Sequence, residues 1–487
     1  EKILRELVET PCPPDIIGIN YYLSTDRFLD QRRKRYPQSS WGGNGRYLYA
    51  DVEAVRIARS DIKIGIAPRL HDVWQRYHLP VAVTEVHNGC TREEQLRWLI
   101  AAHNGAARLR EQGAEVRAIT VWALIGSVDW NSLLTRRAGH YESGAFHAWR
   151  ALRPRPTALA KATASLVSSG RFDHPVLDGP GWWHRDMRFY CKPRRSFQKE
   201  TKMARQLVVT GATGTLGRAV SRICDLRGLA HVLTSRAGLD IAEPKSIAAA
   251  LDRHRPWAVV NTAGYVRVAD AEREPQRCYR ENTEGAAELA RACARLGIPL
   301  LTFSSDLVFD GRLGRPYVES DATCPSCVYG ASKAAAERRV LDEHSDALIT
   351  RTSAFFGPWD KYNFVYQTLC ALALGREVSA SATCVVSPTY VPDLVTAAFD
   401  LLIDGETGIW HLVNQGAVSW SELARLAAIQ GGFDPDGVRP EAADATPTST
   451  ALASERGEML PPLGSALERF FRESEVVWMT GNGRPSH

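Results

Sequence analysis

Tyr329 and Lys333, in the segment VYGASK, stand four residues apart and would project from one face of a helix. That pairing suits proton donation to a carbonyl, because an ammonium beside a phenol favours the ionised phenol and lowers its pKa. Just upstream, LLTFSSDLVFDG (300–311) reads as an apolar strand ending in Ser304, Ser305 and Asp306, and a strand-end hydroxyl can hold a carbonyl oxygen. By themselves a tyrosine and a lysine equally well decorate a solvated helix. A third stretch, QLVVTGATGTLG (206–217), tips the reading toward chemistry. There a buried strand turns abruptly into a helix: Gly211 permits the tight turn, Gly214 lets backbone N–H groups close on a pyrophosphate, and Gly217 lets helix pack on strand.

These groups need a framework of parallel strands. After the first strand the pattern continues with a helix ending at Gly228 and a second strand, HVLTS (231–235). No acidic residue follows it to bind a free ribose hydroxyl. Arg236 stands there instead, and a guanidinium attracts a 2′-phosphate, so NADP(H) is expected ahead of NAD(H), with NAD(H) still open. WAVVNTAG (257–264) is the next strand, and its small residues Thr262, Ala263 and Gly264 allow close approach to a cofactor.

The first half follows a related rhythm. IIGINYY (16–22), VAVTE (81–85) and AITVWALIG (118–126) read as strands, with a strongly periodic helix over 92–113 between the last two. Glu85 ends one strand, and Asp129 and Trp130 lie just beyond another. Polar groups at the carboxyl ends of alternating strands and helices are the pattern of a (β/α) barrel. Eight of the thirteen tryptophans fall between Trp41 and Trp183, fitting either sugar stacking or an aromatic core.

At 487 residues and 53.9 kDa the chain should hold at least two domains. A net charge of +5 without a basic tract gives no reason to expect a nucleic-acid partner. Ten irregularly spaced cysteines read as reduced thiols of a cytoplasmic protein. The pair Cys324 and Cys327 lacks a companion pair, so a loop is expected there and no metal site. No stretch has the length and apolarity of a membrane span.

The second half resembles the extended short-chain dehydrogenase/reductase family, in its RmlD-like dTDP-4-dehydrorhamnose reductase branch. The matching pieces, in the family's order, are GATGTLG, LDI (239–241), NTAGYVRVADAE (261–272), EN (281–282), SSDLVFDG, YGASK, RTSAFFG (351–357), NFV (363–365) and GIWHLVNQGAVSWSELA (408–424). The resemblance implies a nucleotide-linked 4-keto-6-deoxy sugar as substrate, reduced at C4, and leaves a homodimer open. It implies that Tyr329 is the proton donor, that Lys333 also holds the nicotinamide ribose, and that Ser305 polarises the ketone with Asp306 beside it. Cofactor contacts are implied at Gly211, Thr213, Gly214, Thr215, Leu216, Gly217, Arg236, Asp240, Ile241, Ala263, Gly264, Tyr265 and Lys333, and Asn282 braces the active site. Two stretches depart from the pattern. The family's WVYG is replaced by AFFG at 354–357, and its DQxGxPT by TCVVSPT at 383–389, which changes the wall of the substrate cleft. An epimerase or dehydratase of the same fold, or a non-catalytic NADP(H)-binding regulatory protein, remains as an alternative. The latter branch tends to lose the tyrosine–lysine pair, which this chain keeps.

The first half is similar to the last three strand units of family 1 glycoside hydrolases. GINYY, VTEVHNG and WALIGSVDW carry the likeness, which implies a nucleophile at Glu85 and sugar contacts at Asp129 and Trp130. No NEP segment for the acid/base precedes Glu85, so the expectation is the C-terminal part of a longer barrel. The expected architecture is therefore α/β. A glycoside hydrolase-like partial (β/α)8 (TIM) barrel spans 1–170 and a linker 171–205. A Rossmann-type doubly wound sheet with a small substrate-binding subdomain spans 206–473, followed by a tail at 474–487.

Overall fold

A computed structural model describes residues 2–59, 61–132, 135, 137, 139–191, 204–441 and 448–474. They form two compact units, the first from the described residues of 1–124 and 159–202, the second from those of 125–158 and 203–487.

In the first unit, β1 (Ile17–Asn20), β2 (Val81–Val86) and β3 (Val116–Val121) form a parallel sheet with β2 in the middle. The central strand is the most apolar, its Val81, Ala82 and Val83 all buried, as a strand covered on both faces requires. Helices α1 (Ile66–Tyr77) and α2 (Arg92–Glu111) accompany it. The strands expected from sequence are present, but they make an open three-stranded sheet. Closure into a barrel needs the strand number, tilt and stagger of a full ring, which three strands do not supply.

Two expected boundaries move. The glycine-, proline- and charge-rich stretch read as a linker from 171 is folded on α2 as far as residue 191. Trp183 is buried edge-on against Trp98, with ring centroids 5.0 Å apart. Glu94 accepts the Trp182 N–H at 2.9 Å and pairs with Arg185, while Arg97 Nε donates to the Val176 carbonyl at 2.8 Å. Arg185, one of its charges, is buried against Glu94. Residues 192–203 of that linker, and 475–487 of the expected tail, lie outside the described residues.

The second shift concerns 125–158, expected within the barrel that spans 1–170 and found in the second unit. Arg155 Nη1 meets Asp404 Oδ2 at 2.9 Å, and the Ala158 N–H donates to Asp404 Oδ1 at 2.6 Å. Asp129, expected to bind sugar, caps its own loop by accepting the N–H groups of His140 at 2.9 Å and Gly139 at 3.2 Å.

The second unit is built on six parallel strands: β4 (Leu207–Thr210), β5 (His231–Thr234), β6 (Ala258–Asn261), β7 (Leu300–Ser305), β8 (Leu348–Thr352) and β9 (Gly408–His411). Their order is β5-β4-β6-β7-β8-β9. All residues of β4, β6, β7 and β8 are buried, so each reads as a largely apolar run, with Arg351 of β8 as the one charge among them. Helices α3 (Thr215–Arg227), α4 (Pro244–His254), α5 (Gly285–Leu296) and α6 (Val328–Glu343) complete the alternation of a Rossmann-type layer. Val208, Val259, Leu289, Leu300, Val340 and Ile349 form its core. From β4 the chain runs outward to β5 and then back past β4 to β6. Where the order reverses, a crevice opens at the carboxyl ends of the strands.

A second core joins Phe356, Leu369, Tyr390, Leu423, Leu467 and Phe470. It is contributed by α7 (Phe364–Ala373), by Tyr390 just before α8 (Val391–Asp404), and by α9 (Trp420–Gln430) and α10 (Leu463–Glu473). Ser419 Oγ accepts the Glu422 N–H at 3.2 Å and caps α9.

Candidate active site

The glycine turn after β4 has the shape its spacing predicts. Gly211 lies at φ +82°, where a side chain is strained. A Cβ on Gly217 would sit 2.3 Å from the Gly211 carbonyl oxygen, so only glycine lets α3 start this close. Gly214 is the N-cap of α3 and supplies no capping side chain, leaving the first N–H groups of the helix for an anion. Thr213 and Gly214 are exposed, Thr215 and Leu216 half-buried in the first turn.

Next along the carboxyl ends, Thr210 Oγ1 accepts the N–H groups of Thr262 and Ala263, each at 3.1 Å, which holds the turn after β6 against β4. Gly264 follows. A Cβ there would lie 2.7 Å from Asn282 Oδ1 and 3.8 Å from Lys333 Nζ. Asn282 sits in a π-turn (Arg280–Glu284) that leads into α5; it accepts the Tyr265 N–H at 2.8 Å and donates to Ser332 Oγ at 3.0 Å. It thus ties the turn after β6 to α6.

Tyr329 and Lys333 lie one turn apart on α6, with Nζ 5.9 Å from the centre of the phenol ring. Lys333 Nζ also donates to the Phe303 carbonyl of β7 at 3.1 Å, and its enclosure pulls its pKa down to about 8. The expectation that the lysine lowers the tyrosine's pKa is not met. Burial pushes the Tyr329 hydroxyl up and the nearby Asp306 pushes it further, with Ser305 acting weakly the other way.

Ser305, at the end of β7, directs its proton to Asp306 Oδ1 at 3.1 Å and accepts the Leu307 N–H at 3.2 Å. Asp306 is buried, and Ser353 and Thr450 donate to its Oδ2 at 2.7 and 2.6 Å. Burial raises its pKa, against the three hydroxyls that favour the carboxylate. Ser304 turns the other way and donates to Glu337 Oε1 at 2.5 Å.

On the far side of the glycine turn, Arg236 is exposed and paired with Glu281 at 2.9 Å. Asp240 Oδ1 accepts the Ala242 N–H at 3.0 Å, so its carboxylate closes a local turn, while Ile241 is buried against Gly285. Cys327 caps α6, its Sγ accepting the Gly330 N–H at 3.3 Å, and Cys324 is exposed. Among the described residues no His, Cys, Asp and Glu cluster could hold a metal ion, and no helix is long and apolar enough to cross a membrane.

A family model described as the RmlD substrate binding domain matches residues 205–455. The chain belongs to this family. It is 38% identical over 257 residues to the dTDP-4-dehydrorhamnose reductase of Streptomyces griseus, covering 50% of this chain and 81% of that protein. It is 37% identical over 245 residues to the dTDP-4-keto-6-deoxy-D-glucose reductase of Streptomyces niveus, covering 50% of this chain and 84% of that protein. A crystal structure of dTDP-4-dehydrorhamnose reductase from Bacillus anthracis in complex with NADP superposes with a TM-score of 0.53 at 29% identity, covering 56% of this chain and all of that one. The RmlD-type unit is thus an oxidoreductase of the extended short-chain dehydrogenase/reductase class. The family match does not extend to the first unit.

Within the RmlD-type unit, sequence reasoning missed Thr450, Ser353, Glu337 and Glu281. Ser353 and Glu281 lay inside matched segments without a role. Glu337 stands four residues after Lys333, on the same face of α6, and that spacing was the available signal. Thr450 carried none, because only folding brings it to β7. In the first unit, Tyr22, just after β1, donates its hydroxyl to Glu85 in β2.

Proposed function

We propose that the RmlD-type unit uses NADPH to reduce the C4 ketone of a nucleotide-linked 4-keto-6-deoxy sugar. What carries the reading is the meeting of a phenol, an ammonium and a strand-end hydroxyl beside a glycine turn with unfilled helix N–H groups. The turn fits a dinucleotide. Gly214 leaves open the side from which a pyrophosphate would approach, a Cβ there meeting nothing nearer than the Gly211 carbonyl at 3.4 Å. Gly211, Thr213, Gly214, Thr215, Leu216 and Gly217 would hold the phosphates, Arg236 the 2′-phosphate, and Asp240 and Ile241 the adenine side. Ala263, Gly264, Tyr265 and Lys333 would hold the nicotinamide end.

When bound, the cofactor supplies the hydride to the keto carbon. Tyr329 gives its proton to the oxygen as it becomes an alkoxide. The Lys333 ammonium lies one turn away and favours the phenolate that is left. Ser305, anchored by Asp306 and the Leu307 N–H, can polarise the ketone once its own hydroxyl turns from Asp306. The relatives' names differ in their sugar, and the altered wall at Thr383–Thr389 bears on which sugar this chain takes. Incubating the full chain with NADPH and a panel of dTDP-linked 4-keto-6-deoxy sugars tests the proposal. Stoichiometric NADPH oxidation with formation of the C4 alcohol is expected. Conversion without net oxidation of cofactor would show an epimerase or dehydratase instead.

For the first unit we propose no glycoside hydrolysis by this polypeptide. Retaining hydrolysis needs a second carboxylate about 5 Å from the nucleophile, and no NEP segment precedes Glu85. Hydrolysis of an aryl β-glucoside that is abolished by Glu85→Gln would contradict this.

A further inference from the structure

We infer that Glu281 tunes cofactor selectivity by holding Arg236 in an ion pair beside the ribose 2′ position. The inference rests on the proposal that Arg236 receives the 2′-phosphate. Arg236 follows β5 by two residues and is 60% exposed, whereas the Glu281 side chain is 9% exposed. Arg236 Nη2 reaches Glu281 Oε1 at 2.9 Å, and Arg277 Nε reaches the same oxygen at 3.1 Å. One carboxylate, largely withdrawn from water, therefore lies between two guanidiniums at the cofactor's adenosine end.

Glu281 is poorly placed to move aside. The next two residues of its π-turn are clamped: Asn282 bridges the Tyr265 N–H and Ser332 Oγ, and Thr283 Oγ1 donates to the Ser332 carbonyl at 2.7 Å. A 2′-phosphate arriving at Arg236 must share the guanidinium with this carboxylate and meets its negative charge at short range. A ribose 2′-hydroxyl carries no charge and can donate to a carboxylate. Glu281 thus lowers affinity for NADPH and leaves affinity for NADH intact or improved, so it narrows the preference that Arg236 creates.

Equilibrium fluorescence titration of NADPH and NADH, on the full chain and on Glu281→Gln and Arg236→Ala, reads this without turnover. In Glu281→Gln the NADPH Kd should fall by about five- to tenfold, the scale of one close charge pair near the surface, with NADH unchanged or weaker. An NADH-to-NADPH Kd ratio equal to that of the wild type would overturn the inference. The two layers separate cleanly. If Arg236→Ala weakens NADPH while Glu281→Gln leaves the ratio fixed, only the role of Glu281 fails. If Arg236→Ala leaves NADPH binding unchanged, the 2′-phosphate assignment fails and this inference with it. Should Glu281→Gln not fold, Arg277→Ala reads the same contact from the other side. With one guanidinium removed, Oε1 holds Arg236 more firmly and NADPH should bind more weakly; NADPH binding equal to that of the wild type would overturn the inference.

Discussion

Thr450 donates its hydroxyl to Asp306 Oδ2 across 2.6 Å, joining two residues 144 positions apart in the chain. Asp306 directly follows β7 at the candidate active site. Thr450 follows a short strand, Thr448–Ser449, that pairs with Cys384–Val386 in the altered wall segment. The bond therefore ties that wall to the carboxylate that anchors Ser305. Thr450→Val leaves a buried carboxylate one donor short, which costs about 1–3 kcal/mol. Urea unfolding should show that loss, and turnover should drop while NADPH affinity holds, with Thr450→Ser restoring both. A valine variant as stable and active as the wild type would contradict the role given to this bond.

Lys333 makes the pH dependence specific. Enclosure brings its pKa from 10.5 to about 8, so it is an ammonium below that point and neutral above it. If the ammonium assists Tyr329, kcat/KM should fall as pH rises through about 8. Stability runs the other way. The unfolded chain keeps this proton up to about 10.5, so between 8 and 10.5 it binds more protons than the folded one, and folding gains with rising pH. Lys333→Met, which removes a charge that burial disfavours, should be the more stable protein at neutral pH by up to roughly 3 kcal/mol. A kcat/KM profile flat well beyond the lysine's pKa would remove the ammonium from the account.

Beneath the site, Arg351 of β8 and Glu337 of α6 form a two-pronged pair at 2.8 and 2.7 Å, with 3% and 4% of their side chains exposed. Ser304 adds a third bond to the carboxylate. Truncating one partner of such a pair leaves a buried charge, so Glu337→Gln or Arg351→Met should each cost about 3–5 kcal/mol. The double variant should recover part of that loss. Losses that simply add in the double variant would mean that the two side chains do not act as a pair.

The parallel layer of the second unit was legible because its strands are buried on both faces and bounded by glycine. Gly211, Gly217 and the Tyr329–Lys333 spacing then placed the turn and the helix face. Local spacing could not foresee that Thr450 and Ser353 converge on Asp306, since that depends on how the second core docks its strands. Nor could it give the sign of the shift at Tyr329, where enclosure outweighs the lysine. In the first half, strand-end motifs located β1, β2 and β3, but pattern alone cannot tell an open sheet from an arc of a barrel. Residues 125–158 were misplaced for a related reason: Arg155 reads as surface charge until Asp404 is seen beside it.

Tyr329→Phe tests the central claim most directly, because it removes a single hydroxyl and keeps the ring. Steady-state reduction of a dTDP-linked 4-keto-6-deoxy sugar and NADPH titration are measured on the same preparation of the full chain. The account predicts turnover lower by orders of magnitude with NADPH affinity nearly unchanged, since the proton donor is needed only in the transition state. Turnover unaffected by Tyr329→Phe, or stoichiometric NADPH binding with no oxidation on any keto sugar of the panel, would contradict it.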